Sequence, residues 1–332
     1  MKFAIIFAKI SSEITKVNLI EFSIMRFMKN ITAVTSSMNR NDYLLNTIKN
    51  CQKIKNLKSH IVIDYSSVEP VENLILDFNN LEIYRVNNQA IWNISRSYNA
   101  GFHIIETNYI LKIDADVEID SDFVNNLDYQ IYDMIIFSNN SNDLGNWLIK
   151  TEIINNVNGF NEFITNGYDD HDLIKRIRDS NRDLKELTVQ NKIKKIEHSN
   201  ELRVNFSKSK FLNENENYFY AIRKAYNDCN GFISKKIIWS ISKKRNYVIR
   251  NNEILINHLY TNKDLPFLIN ILCKYIFLKS FFKIYFRRNY FSLYSVYKRI
   301  IPYFLMPLPS KIIKNLFGFD IFPTLVQINK KL

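Results

Sequence analysis

Tyr109-Ile110-Leu111-Lys112-Ile113-Asp114-Ala115-Asp116 is an apolar, β-rich run that stops abruptly in two carboxylates. Runs of this kind bounded by polar residues read as buried strands, and those acids then stand at a strand's carboxyl end. Working outward, the segment from about Trp92 to Glu106 has helical spacing, and Leu81 to Val86 reads as another strand. Pro70 opens a predicted helix to Phe78, His60 to Tyr65 is a strand, and Asp42 caps a predicted helix ending near Cys51. Ile31 to Thr35 begins the series, and Met134 to Phe137 continues it beyond the acids. Strand and helix alternate, so the expected fold class is α/β with an open, mostly parallel sheet. Ligands of such sheets bind outside the carboxyl ends of the strands.

The chemistry-bearing residues fall at those ends. Thr35 to Arg40 follows the first strand, Asp64 ends the second, and Asp114 with Asp116 ends the fourth. The first glycine of the chain is Gly101, so the first strand-to-helix turn holds neither a dinucleotide fingerprint nor a P-loop. A nucleotide at this sheet has to be held by side chains and a metal. Two carboxylates two residues apart at a strand exit can hold a hard divalent cation bridging a diphosphate. The pattern is common by itself: 18 Asp in 332 residues give three Asp-x-Asp pairs, at 114/116, 120/122 and 170/172. Only the first closes a clear apolar strand. Asp120 and Asp122 read as the cap and first turn of a helix, and a solvated acidic turn stays open for the first pair as well.

Six blocks occur in an order that resembles the family 2 glycosyltransferases. They are ITAVTSSMNR, IVIDYSS, VNNQAIWNISRSYNAG, YILKIDADVEI, NGFNEFITNGYDDHDLIKRIR and IEHSNELR, spanning about residues 31 to 205. The likeness is greatest to bacterial members with a galactosyltransferase-like acceptor segment. It implies the GT-A fold, an inverting mechanism and a nucleotide-diphosphate sugar donor, with a UDP-sugar first among donors. Through it Asp114 is expected at the donor ribose, Asp116 at the metal and Asp64 at the base, with Thr35 lining the base pocket. His198 matches a histidine that completes the metal shell, and such a shell suits Mn2+ or Mg2+. Asp170 takes the place of the general base and Asp169 replaces the usual glutamate before it. Acids that open a helix also favour its dipole, which leaves a plain capping role open for these two. Trp147 is expected to stack on an acceptor sugar, with burial as the alternative, and Arg96 and Lys112 are candidates for the donor phosphates or base, with surface positions equally open. One departure stands out: many relatives carry Arg-Asn before a glycine in the third helix, whereas this chain has Tyr98-Asn99-Ala100-Gly101.

Charge divides the chain. Residues 203 to 332 hold 23 Lys/Arg against 6 Asp/Glu, whereas the first 202 hold 22 against 27. The expected organisation is an extension at 1–30, a GT-A domain at 31–205 and a basic, aromatic, mainly helical region at 206–332. Leu265 to Phe286 is too broken by lysines to span a bilayer and reads as an interfacial or a buried helix. The three cysteines have no C-x-x-C spacing and point to a reducing compartment, and no cleavable leader is expected. The partners expected are a nucleotide sugar, a glycan or lipid-linked acceptor and an anionic membrane surface, with the protein at the cytoplasmic face. Two other classes compete: a non-catalytic sugar-nucleotide binder and a basic nucleic-acid-binding protein. The net acidic α/β part argues against the second, and no nucleic-acid partner is expected.

Overall fold

A computed structural model describes residues 30–74, 78, 80–89, 92–140, 143–165, 167–196, 216–243, 247–257, 259–260 and 264–289. His198 and residues 1–29 lie outside the described residues, as does the segment from 290 onward. The α/β class expected from the sequence is the one observed: an open, mostly parallel sheet with helices against it, followed by a region whose described part is mainly helical.

The sheet is built around β1 (Ile31–Ser37), whose seven residues are all buried, as a strand covered on both faces must be. β2 (Leu57–Tyr65) and β3 (Leu81–Val86) extend it in parallel on one side, and β4 (Tyr109–Lys112) joins in parallel on the other. The chain thus leaves β1 in opposite directions, which creates a topological switch point between β1 and β4. β5 (Val117–Ile119) stands apart and pairs with β9 (Ile193–Lys195). β6 (Met134–Ser138) and β7 (Asn146–Lys150) follow, and β7 lies antiparallel between β4 and β6. β8 (Glu186–Gln190) closes that edge parallel to β6.

Alternation along the strands splits the core in two. Val34, Ile110, Ile136 and Trp147 pack on one face with Phe102 and Phe160. Ala33, Leu111, Ile135 and Leu148 pack on the other with Tyr109 and Val124. The first helix, α1 (Asn41–Cys51), carries Asp42 in its first turn without a side-chain capping bond, so the expected cap is a dipole partner instead. The predicted helix after Pro70 shrinks to one 3-10 turn, Val71–Asn73. α2 (Ile94–Phe102) begins at Asn93, whose side chain accepts from the Arg96 amide. It presses on the sheet at Gly101, where a Cβ would stand 2.6 Å from Val34 Cγ1, so only glycine fits. α3 (Ser121–Asn126) is capped by Asp120, as the sequence indicated. α4 (Thr151–Asn156) and α5 (Asp169–Ser180) complete this part.

Beyond residue 205, α6 (Glu216–Lys236) and α7 (Phe267–Asn289) pack on each other through Tyr226 and Phe277, 4.9 Å apart. Between them β10 (Tyr247–Arg250) and β11 (Glu253–Ile256) form a hairpin, turned by Asn251 and Asn252, both with positive φ. β11 runs parallel to β3, so the second region adds two strands to the sheet of the first.

Candidate active site

A cleft of about 370 Å³ opens at the switch point. Asp114 and Asp116 reach it from the end of β4 because β4 stops at Lys112 and the chain turns sharply towards β5. Asp169 and Asp170 reach it from the start of α5, after a turn in which Gly167 and Tyr168 both take positive φ (80° and 68°). Residues 114 and 170, 56 positions apart, thereby share one lining. Arg40, from the turn after β1, and Arg223 and Lys224, from α6, add cations to its wall.

Under the acids lies Lys112. Its side chain has no exposed surface, and its ammonium donates to Asp114 Oδ1 at 2.8 Å, to Asp170 Oδ1 at 3.4 Å and to the Gly145 carbonyl. Burial alone would lower its pKa, but Asp114 and Asp170 together raise it well above the ordinary value, so the ammonium is permanent. The Tyr98 hydroxyl donates to Asp114 Oδ1 at 3.1 Å and its ring lies 4.6 Å from the ammonium. The cation in that corner thus comes from β4. Burial raises the pKa of Asp170 well above the usual carboxylate range, opposed by Lys112 and reinforced by Asp169 and Asp114. Burial likewise raises Asp169, whose Oδ2 is sealed from solvent and has no hydrogen-bond partner. A carboxylate so raised is more basic than an exposed one, which suits it to accept a proton.

Asp116 is turned the other way, 3.6 Å from the Arg40 guanidinium and partly exposed. Among the described residues no three His, Cys, Asp or Glu side chains cluster as a metal site. Asp116 supplies one hard oxygen donor on the cleft wall, which fits a cation whose other positions are taken by substrate oxygens and water.

Four expected site residues lie elsewhere. Trp147 is fully buried in β7 with its ring against Phe102 and Phe160, so it packs the core and cannot meet an acceptor sugar. Arg96 is buried beside Glu162 at 3.8 Å and donates to the Tyr260 carbonyl, away from any donor phosphate. Asp64 has no exposed surface; it accepts from the Ser67 and Val71 amides and pairs with Arg85, so it organises the turn after β2. Thr35 is spent on His60 Nε2 at 2.9 Å. The cleft in turn contains Tyr168, Arg223 and Lys224, which no spacing pattern singled out. Gly145, one of six glycines, was the available signal for a close approach.

No protein-family model matches the chain, and no curated protein matches it. Several solved structures are similar. The Staphylococcus aureus protein TarS, residues 1–349, is 10% identical over 82% of this chain and 76% of its own, with a TM-score of 0.45. A mannosyltransferase from Pyrobaculum calidifontis, solved with GDP-Man and Mn2+, is 13% identical over 62% of this chain and 64% of its own, at 0.47. The catalytic domain of Drosophila β1,4-galactosyltransferase 7, solved with xylobiose, is 13% identical over 73% and 98%, at 0.43. At TM-scores below 0.5 these likenesses assign no residue a role.

Proposed function

We propose that the protein is an inverting glycosyltransferase that moves a sugar from a nucleotide-diphosphate donor to a glycan or lipid-linked acceptor. One observation carries this reading: two acids from the end of β4 and two from the start of α5 line a single cleft at the sheet's switch point. The strand-end pair faces the donor, with Asp114 at the ribose and Asp116 holding Mn2+ or Mg2+. The helix-opening pair faces the acceptor. Asp169 lies beside the acceptor at the start of the helix, and Asp170 takes the proton of the attacking oxygen. The bond from that oxygen to the anomeric carbon forms as the bond to the diphosphate breaks. Arg40, Arg223 and Lys224 favour the anionic donor from the wall. The ion, when bound, offsets charge on the departing diphosphate. A floor of four carboxylates is hostile to a polyanion, so a nucleic-acid role finds no support here. The exposed start of α7 supports placement on an anionic membrane face.

The test is a panel of nucleotide sugars with Mn2+, scored by donor binding and by release of the nucleotide diphosphate. Asp116→Asn should lose metal-dependent donor binding. Asp170→Asn should bind donor normally but turn over about 10² to 10⁴ times more slowly. Full transfer by both variants would remove the assignment.

A further inference from the structure

The reaction outlined above uses every acid in the cleft and leaves Lys112 beneath it without a part. A lysine ammonium has three donors, and here each finds an acceptor on a different stretch of chain: the exit of β4, the start of α5 and the loop before β7. An apolar residue of the same length would fill the space and serve the sheet as well. The surrounding spacing is tight. A Cβ on Gly145 would stand 3.0 Å from Asp114 Oδ2 and 3.3 Å from Asp170 Oδ2, so the glycine is what lets both carboxylates close on the ammonium. Carboxylates this near one another repel, and without a cation between them one would hold a proton.

We propose that Lys112 is the positioning residue of this site: its buried ammonium fixes the Asp170 carboxyl against the cleft floor, favours its charged form and aims it at the acceptor. The proposal rests on the glycosyl-transfer reading. The groups that face Asp170 are Lys112 and Asp114 from β4 and its exit, Asp169 from its own helix and the Tyr98 hydroxyl from α2, with His171 beside it and Arg40, Arg223 and Lys224 on the cleft wall. Of these Lys112 is the cation that touches Asp170 and favours its charged form. Its loss therefore makes Asp170 harder to ionise.

Lys112→Met keeps the length and removes the charge. With the best donor of the panel, kcat should fall about 10²-fold or more while the donor KM rises by no more than about tenfold, since Lys112 also holds Asp114 but Asp116 and the cationic wall are untouched. The acid limb of the pH–rate profile should move to higher pH. Gly145→Ala displaces the two carboxylates without changing charge, so it should lower kcat about tenfold and leave the acid limb in place. A second readout needs no substrate: thermal unfolding of the wild type, Lys112→Met, Asp170→Asn and the double variant. Neutralising Asp170 should restore stability to Lys112→Met, including folding itself if the single variant does not fold. A kcat within threefold of wild type with an unmoved acid limb overturns the proposal, as does strict additivity in the unfolding cycle. If no nucleotide sugar turns over, the transfer reading falls, while the unfolding cycle still reports on Lys112.

Discussion

At the scale of single residues, type was legible and direction was not. Asp64, Arg96 and Trp147 have the chemistry of a sugar-nucleotide site, but each is turned into the protein. Strand alternation puts Trp147 on the core face, and nothing in a four- or five-residue run fixes which face that is. Lys112 shows the converse. It sits in an apolar strand where a surface position was equally open, and only the convergence of Asp114, Asp170 and Gly145 around it reveals its task. His60 offers a sharper test of burial. It has no exposed surface, its Nδ1 has no partner, and burial lowers its pKa to about 3. The unfolded chain takes up a proton below the ordinary histidine value of 6.5 and the folded one does not. The stability contributed by this neutral ring is complete above that value and is lost as pH falls towards about 3. Urea unfolding should therefore show a loss of up to about 1.4 kcal/mol per pH unit from this group in that window. His60→Leu should be flatter there. An unchanged slope would mean the ring is not held neutral.

At the scale of elements, long periodic segments were legible and short ones were not. β1, β2, β3, β4 and β6 fall where apolar runs indicated, and the order of alternation led to a parallel sheet. β5, β9, β10 and β11 are three or four residues each, too short for alternation to show. β11 also pairs with β3, a strand about 170 positions earlier, so no local pattern could announce it. The helix expected after Pro70 is interrupted at Leu74, whose extended backbone ends the 3-10 turn. The site was half legible for the same reason. Acids at a strand end and a helix start follow from local rules, whereas α6 reaches the cleft through tertiary packing alone. Trp239 anchors that packing: its Nε1 donates to the Asn158 carbonyl at 2.9 Å, and its ring meets Phe163 and Tyr260 edge-on. Trp239→Ala should cost about 3–5 kcal/mol in unfolding free energy. It should also weaken donor binding as α6 shifts. A cost below about 1 kcal/mol would show that the helical region is only loosely held.

At the scale of the whole molecule, the two charge regions share one sheet. Tyr247 of β10 donates to Glu162, and the Arg96 guanidinium reaches Tyr260, so the boundary near residue 205 divides charge without dividing the core. The described part of the basic region therefore packs on the same core as the cleft. At the start of α7, Phe267 and Leu268 are 77% and 70% exposed, with Ile271 and Leu272 also outside the core. Among the described residues no helix is long and apolar enough to cross a membrane. An apolar strip on a part of the chain carrying 23 cations against 6 acids fits the surface of an anionic bilayer, where each lysine or arginine near the lipid contributes about 1 kcal/mol. Such binding would hold the cleft beside lipid-linked acceptors. The full chain should float with vesicles containing phosphatidylglycerol and not with pure phosphatidylcholine, and about 0.5 M salt should release it, since screening shortens the reach of surface charge. Phe267→Asp with Leu268→Asp should abolish flotation while leaving donor turnover in solution intact, because neither residue lines the cleft. Flotation equal on both lipids, or unaffected by the double substitution, would place the contact elsewhere on the molecule.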